Sequence, residues 1–258
     1  MIKIIVSGFN GSMGQKAVKM IKSNDNFKLV GVFNPVIKDL SPSTYGLDDS
    51  VKVYNNLSLI DVSADIWVDF SIPTAVFENT KFAIEHDYRP VIGTSGLSED
   101  QVAELKSLAD NRKLGGIIAS NFGISAVLMM KFAQVAAKYF DQTEIVETHH
   151  QDKLDSPSGT ALNTARLIHE VQQKDQTENP NESDPLGTRG GDYHGIKIHA
   201  IRLPGFIADE EVIFGSTGEN LIIKQSTTDR ESFMKGVQLA INEVISRDEL
   251  IIGLEKII

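Results

Sequence analysis

The first half of the chain alternates short apolar runs with longer segments in which apolar residues recur every three or four positions. The runs are "KIIVSG" (3–8), "FKLVGVF" (27–33), "DIWVDFS" (65–71), "RPVIGT" (89–94) and "LGGIIAS" (114–120). Among them lie "GQKAVKMIKS" (14–23), "PTAVFENTKFAIEH" (73–86) and "SEDQVAELKSLADNR" (98–112), each with helical spacing. Strands apolar on both faces and separated by amphipathic helices belong in a parallel sheet covered on both sides. The pattern predicts a doubly wound, Rossmann-like α/β domain.

After Asn121 the pattern changes. A long helical segment (123–140) leads into the strand "TEIVETH" (143–149) and then a helix, "SGTALNTARLIHEVQQ" (158–173). "IKIHAIRL" (196–203), "DEEVIFGS" (209–216) and "NLIIKQSTT" (220–228) read as strands parted by turns, and 230–246 as a closing helix. Adjacent short strands predict a smaller α+β domain with an antiparallel or mixed sheet at roughly 123–230. The stretch 174–195 is polar and rich in Pro and Gly, which predicts a mobile surface loop.

Composition narrows the function classes. With 35 acidic against 25 basic side chains, the chain lacks the clustered cations of a nucleic-acid-binding face. The absence of cysteine removes disulfides, thiolate nucleophiles and Cys-ligated zinc. "IKIIVSG" is too short for the apolar region of a signal peptide, and no run reaches membrane-spanning length, so a soluble cytoplasmic protein is expected.

Two stretches carry chemistry. In "VSGFNGSMGQKAV" (6–18), Gly8, Gly11 and Gly14 stand where the first strand gives way to a helix. That is the context in which backbone amides and a helix N-terminus take a dinucleotide's pyrophosphate, although the spacing is GxxGxxG and a ligand-free turn is the alternative. Asn34 stands near the end of the second strand, where NAD sites place an acid. Without that charge to repel a 2′-phosphate, and with Lys38 nearby, the balance tilts slightly to NADPH. "GTSG" (93–96) and "SNFG" (120–123) follow later strands, the side of an open α/β sheet on which ligands bind.

The second stretch is "VETHHQDKLDSPSGTA" (146–161). Ser156 as N-cap and Pro157 as first helical residue predict a helix start that exposes the amides of Ser158, Gly159 and Thr160 to a carboxylate. Lys153 adds charge, and His149 and His150 are donors that titrate near neutral pH. Neighbours on a strand point to opposite faces, so both histidines reach one pocket only if the strand has ended. An inert loop is the alternative, and a metal site on His149, His150, Asp152 and Asp155 a weaker one, since no paired-histidine helical spacing supports it.

Together "VSGFNGSMGQ", "GTSG", "SNFGIS", "ETHHQDKLDSPSGTA", "IHAIRLPG" and "STTDRESFMKGV" resemble the 4-hydroxy-tetrahydrodipicolinate reductase (dihydrodipicolinate reductase) family from end to end. The resemblance implies an NADH- or NADPH-dependent oxidoreductase of lysine biosynthesis through diaminopimelate. It implies a discontinuous dinucleotide domain (1–122 and 231–258), a substrate domain (123–230) and a homotetramer built through the second sheet. By motif, His149 and Lys153 match the catalytic residues, and His150, Gly159 and Thr160 the contacts to a dicarboxylate substrate. Gly8, Phe9, Asn10, Gly11, Ser12, Met13, Asn34, Gly93, Thr94, Ser95, Ser120, Asn121 and Phe122 match the cofactor-binding positions. The chain departs where many members carry Arg (here Ser12), an acid (here Asn34) and a His-Asp pair (here Gln225 and Ser226). Another nicotinamide dehydrogenase, acting on a small semialdehyde or sugar, and a non-catalytic NAD(P) sensor would share the front half.

Overall fold

A computed structural model describes residues 1–177 and 180–258; positions 178 and 179, within the stretch expected to be a mobile loop, lie outside the described residues. In chain order the elements are β1 Ile2–Ser7, α1 Ser12–Lys22, β2 Phe27–Phe33, β3 Lys52–Tyr54, β4 Ile66–Asp69, α2 Val76–Glu85, β5 Arg89–Ile92, α3 Glu99–Arg112 and β6 Gly116–Ile118. There follow α4 Ile124–Ala136, β7 Gln142–His149, α5 Gly159–Gln172, β8 Gly191–Tyr193, β9 Ile196–Arg202, β10 Ala208–Ser216 and β11 Glu219–Thr227. The described chain closes with α6 Phe233–Val244 and β12 Leu250–Ile252. Residues 1–122 and 233–258 form one compact unit, and 123–232 a second.

The first unit is built on a seven-stranded sheet ordered β12-β6-β5-β4-β1-β2-β3, with every pairing parallel. β4 is buried at all four positions and β1 at its last four, because helices cover the sheet: α1 packs with α6, and α2 with α3. α1 buries Gly14, Ala17 and Ile21 at helical spacing, and α3 opens on a reciprocal cap between Ser98 and Gln101. α6 returns to this sheet by burying Met234, Val237, Ile241 and Val244, each worth roughly 1.5–3 kcal/mol of burial. The strand order reverses between β1 and β4, and ligands of open α/β sheets bind at such a point.

The second unit is a five-stranded mixed sheet, β11-β10-β7-β9-β8, in which only β7 and β9 run parallel. Period-two alternation buries Thr143, Ile145 and Glu147 on β7 and Glu210, Val212 and Phe214 on β10, while α4 and α5 pack against this sheet. In this buried row Thr143 is polar, and Glu147 and Glu210 face each other across the two strands as its charged pair.

Three expectations need correction. β3, β8 and β12 are additional strands of three residues each, too short for an alternating pattern to register. The described part of 174–195 is tied down: Gln176 Oε1 accepts from Thr143 N at 2.8 Å, Asp184 accepts from the amides of Thr188 and Arg189, and β8 pairs with β9. The helix of the Pro-Ser-Gly-Thr motif starts at Gly159 on a Ser158 cap, two residues later than a Ser156 cap predicts. Ser158 Oγ accepts from Ala161 N at 3.2 Å, and residues 156–157 precede the helix.

Candidate active site

Two constellations stand out, one in each unit. In the first, the Gly8–Gly14 loop leaves β1 and runs into α1, with Gly11 as the N-cap and no side chain capping the helix. Gly8 has φ +71°, and a Cβ there would lie 2.3 Å from the Phe70 carbonyl oxygen. A Cβ on Gly14 would lie 2.1 Å from the Gly8 carbonyl oxygen. The glycines therefore let the loop fold tightly onto the end of β4 and onto its own helix. The first-turn amides of Ser12 and Met13 have no intrahelical acceptor and open an anion-binding N-terminus.

The other residues expected on the cofactor side follow strands of the same parallel sheet, at their carboxyl ends. Gly93, Thr94 and Ser95 follow β5; Ser120, Asn121 and Phe122 follow β6. Buried Asp69, at the end of β4, anchors the first of these loops by accepting from Thr94 Oγ1 (2.8 Å), and it also accepts from Ser71 N (2.9 Å), Ser71 Oγ (2.6 Å) and Asn79 Nδ2 (3.0 Å). Asn34 follows β2, donates its side-chain amide to Asn10 Oδ1 and accepts from Val36 N at 3.1 Å. It presents an uncharged amide at the position where a ribose hydroxyl or 2′-phosphate would meet the fold.

In the second unit β7 ends at His149, so His150 has left the strand and the alternation that would turn the two rings apart no longer applies. The chain turns at once, Lys153 N donating to His150 O at 3.2 Å. Lys153 Nζ donates to Asp155 Oδ1 at 2.6 Å, which holds the Asp155 carboxyl below its usual range. Gly159 is exposed, and a side chain there would meet nothing within 4 Å, leaving the backbone at the helix start open to a ligand. Thr160 follows it in the first turn.

Glu147, Arg202 and Glu210 are charged residues beside these groups that motif reading passed over. The buried carboxylate of Glu147 accepts from His149 Nδ1, from Arg202 Nη1 and Nη2 (both 2.8 Å) and from Ser158 N (3.1 Å). Burial alone would raise its pKa, but the hydrogen bonds from His149 and Arg202, the charge of His149 and the Ser158 amide outweigh it and hold the carboxyl below its ordinary range. Glu147 thus fixes the orientation and tautomer of His149 and ties the strand end to the cap of α5. Arg202 also donates to Asp155 O at 2.7 Å, clamping the intervening loop. A signal was present in the sequence: in "TEIVETH" the positions of Thr143, Ile145 and Glu147 share a face, so a charge sits in an inward row and demands a partner.

Comparison with known proteins decides between the open readings. Family models for the N-terminus and C-terminus of dihydrodipicolinate reductase match residues 2–122 and 125–258. The chain belongs to the dihydrodipicolinate reductase family. It is 50% identical over 260 residues to the 4-hydroxy-tetrahydrodipicolinate reductase of Limosilactobacillus fermentum, with both chains covered completely. It is 52% identical to that of Lactobacillus helveticus, covering 99% of this chain and 98% of the relative. A dipicolinate-bound dihydrodipicolinate reductase from Paenisporosarcina sp. TG-14 matches with a TM-score of 0.90 at 42% identity, both chains covered in full. The chain is therefore an NADH- or NADPH-dependent oxidoreductase, and the glycine cradle of Gly8 and Gly14 fits the pyrophosphate of that cofactor.

Glu210 gives the reductase a pH-sensitive element beside this site. Burial, with the neighbouring Glu147 carboxylate adding to it, pushes Glu210 up to about 7 against the lowering effect of Thr164. Geometry agrees: Thr164 Oγ1 contacts both Thr160 O (2.9 Å) and Glu210 Oε1 (2.6 Å), yet a hydroxyl has one proton. A protonated Glu210 donating to Thr164, which donates to Thr160 O, satisfies all three groups. Between pH 4.5 and about 7 the native state then holds a proton that the unfolded state has lost, so stability falls as pH rises through this window. The expected loss is roughly 3 kcal/mol by pH 8, and Glu210→Gln should remove it. Urea unfolding of both proteins at pH 5 and pH 8 checks this; parallel pH dependences would show Glu210 to be ionised in the native state.

Proposed function

We propose that the chain reduces 4-hydroxy-tetrahydrodipicolinate, through its dehydrated form, to tetrahydrodipicolinate in the diaminopimelate route to lysine, as the names of its relatives indicate. The observation that carries this reading is the Glu147–His149 pair, held by Arg202 beside the α5 N-terminus. It provides a histidine of fixed orientation a few residues from Lys153 and the open Gly159 backbone. That combination suits an anionic substrate which must be protonated at one atom while a carboxylate is held.

NADH or NADPH, when bound, supplies a hydride to the conjugated C=C–C=N system. His149 delivers a proton to the carbon that becomes electron-rich as hydride adds. Lys153, His150 and the Gly159–Thr160 segment hold a substrate carboxylate, and fixing the substrate in this way supplies much of the rate enhancement. Gly8, Phe9, Asn10, Gly11, Ser12 and Met13 hold the pyrophosphate end of the cofactor. Gly93, Thr94, Ser95, Ser120, Asn121 and Phe122 line its nicotinamide side, and Asn34 meets the ribose.

A homotetramer in the cytoplasm completes the reading. Among the described residues no helix is long and apolar enough to cross a membrane. β11 is an edge strand that exposes Leu221 and Ile222, and α4 exposes Phe132 and Val135, apolar surface that a second copy would cover. Light scattering should then return a mass four times that of the chain.

The deciding assay generates the substrate in situ from pyruvate and aspartate semialdehyde with the preceding synthase and follows loss of nicotinamide absorbance with NADH and NADPH in parallel. Synthase-dependent oxidation is expected, with NADPH at least equal to NADH because Asn34 bears no charge. Cofactor binding without oxidation would return the reading to another dehydrogenase or a sensor.

A further inference from the structure

The second unit carries a cluster that the reductase reaction does not use. His169 lies in the last turn of α5, Asp175 just beyond that helix, and His194 in the turn between β8 and β9. One ligand atom from each lies within 4.8 Å of the other two. The imidazoles stack nearly parallel, centroids 4.0 Å apart at 13°, and both direct Nδ1 at one Asp175 oxygen, His194 at 2.9 Å and His169 at 3.9 Å. His194 makes a hydrogen bond there; His169 Nδ1 is buried and has no hydrogen-bond partner. A carboxylate and protons satisfy only half of this arrangement.

The backbone adds a second observation. His194 (φ +53°) and Gly195 (φ +84°) form a two-residue hairpin turn with both residues left-handed, a site where Asn-Gly is the ordinary choice. The turn is held in place at its neck, Gln176 N donating to His194 O at 3.0 Å while the buried Gln176 side chain binds Thr143 N. The ring at this fixed turn stacks on His169, whose buried Nδ1 has no hydrogen-bond partner.

We propose that His169, Asp175 and His194 bind one divalent transition-metal ion of the zinc class. Two imidazole nitrogens and a carboxylate oxygen favour Zn²⁺, Co²⁺ or Ni²⁺ over Mg²⁺ or Ca²⁺, leaving a fourth position for water. Bonds of about 2.0–2.2 Å bring the ligand atoms closer together than they now lie. Rotation of the exposed Asp175 and tilting of the exposed His194 ring out of the stack supply that movement. The ion would tie the C-terminal end of α5 to the β8–β9 hairpin. His149 and His150 lie before the other end of that helix, whose start at Gly159 is roughly 15 Å from His169 at 1.5 Å per residue.

The test uses the full chain stripped of metal with a chelator and titrated with Zn²⁺ by calorimetry and with Co²⁺ by visible absorption. One equivalent per chain is expected, with Co²⁺ bands of a low-symmetry four-coordinate site. His169→Gln and His194→Asn should each weaken binding by more than about 100-fold. His194→Asn keeps the turn, because Asn-Gly is its favoured sequence. Cooperative melting of both metal-free variants at the parent's temperature will show that they are folded. No uptake by the parent chain, or uptake that both variants leave unchanged, would overturn the proposal, the latter placing the ion on other ligands.

Discussion

Glu147→Gln should lower kcat by about 100-fold and the melting temperature by roughly 10 °C, while leaving cofactor binding intact. Glutamine keeps the size of the side chain but replaces one oxygen with an NH₂ group. The site faces it with donors only: His149 Nδ1, two Arg202 nitrogens and the Ser158 amide. At least one donor must then confront another, and Arg202 is left with a buried charge that has lost its counter-ion, a loss of about 3–5 kcal/mol. The fall in kcat has a separate origin, since His149 no longer donates Nδ1–H to a carboxylate and loses the anchor that sets its tautomer. Steady-state kinetics with calorimetric melting separates the two effects. A lower melting temperature with unchanged kcat would make Glu147 a structural residue alone.

That prediction rests on a contact between residues 55 positions apart, which defines what could be read from the chain. The parallel sheet was legible because β1, β2, β4 and β5 are contiguous apolar runs and the helices between them carry a clear helical period. Local chemistry was legible too: Gly8 and Gly14 stand where a side chain would collide with backbone. The partner of an inward carboxylate was not legible, because Arg202 comes from β9 and reaches Glu147 only once β7 and β9 are paired in register. The α5 start was misplaced for a related reason. Ser156-Pro157 and Ser158-Gly159 are both plausible starts by local rules, and the choice falls to Ser158, whose backbone N–H is held by Glu147 while its hydroxyl caps the helix. His194 is likewise brought onto the end of α5, beside Asp175, by a hairpin too short to show in the pattern.

Lys153→Ala should reduce kcat/KM by about 100- to 1000-fold with less than about 1 kcal/mol change in stability, the reverse of the balance expected at Glu147. Without substrate, Lys153 Nζ pairs with the exposed Asp155 carboxylate at 2.6 Å. An ion pair with one exposed partner contributes little to folding, about 0–1 kcal/mol, so its loss barely touches the native state. The same weakness makes the ammonium exchangeable: a substrate carboxylate can replace Asp155 at small cost, and the turn from His150 already fixes the Lys153 backbone. Asp155 then acts as a placeholder, and Asp155→Asn should keep kcat within a few-fold of the parent. Rates for both variants with the in situ substrate, beside their urea unfolding curves, check the pair. Full activity of Lys153→Ala would remove Lys153 from the site. A loss of activity in Asp155→Asn as deep as that of Lys153→Ala would show that the carboxylate works with the bound substrate and does not simply make way for it.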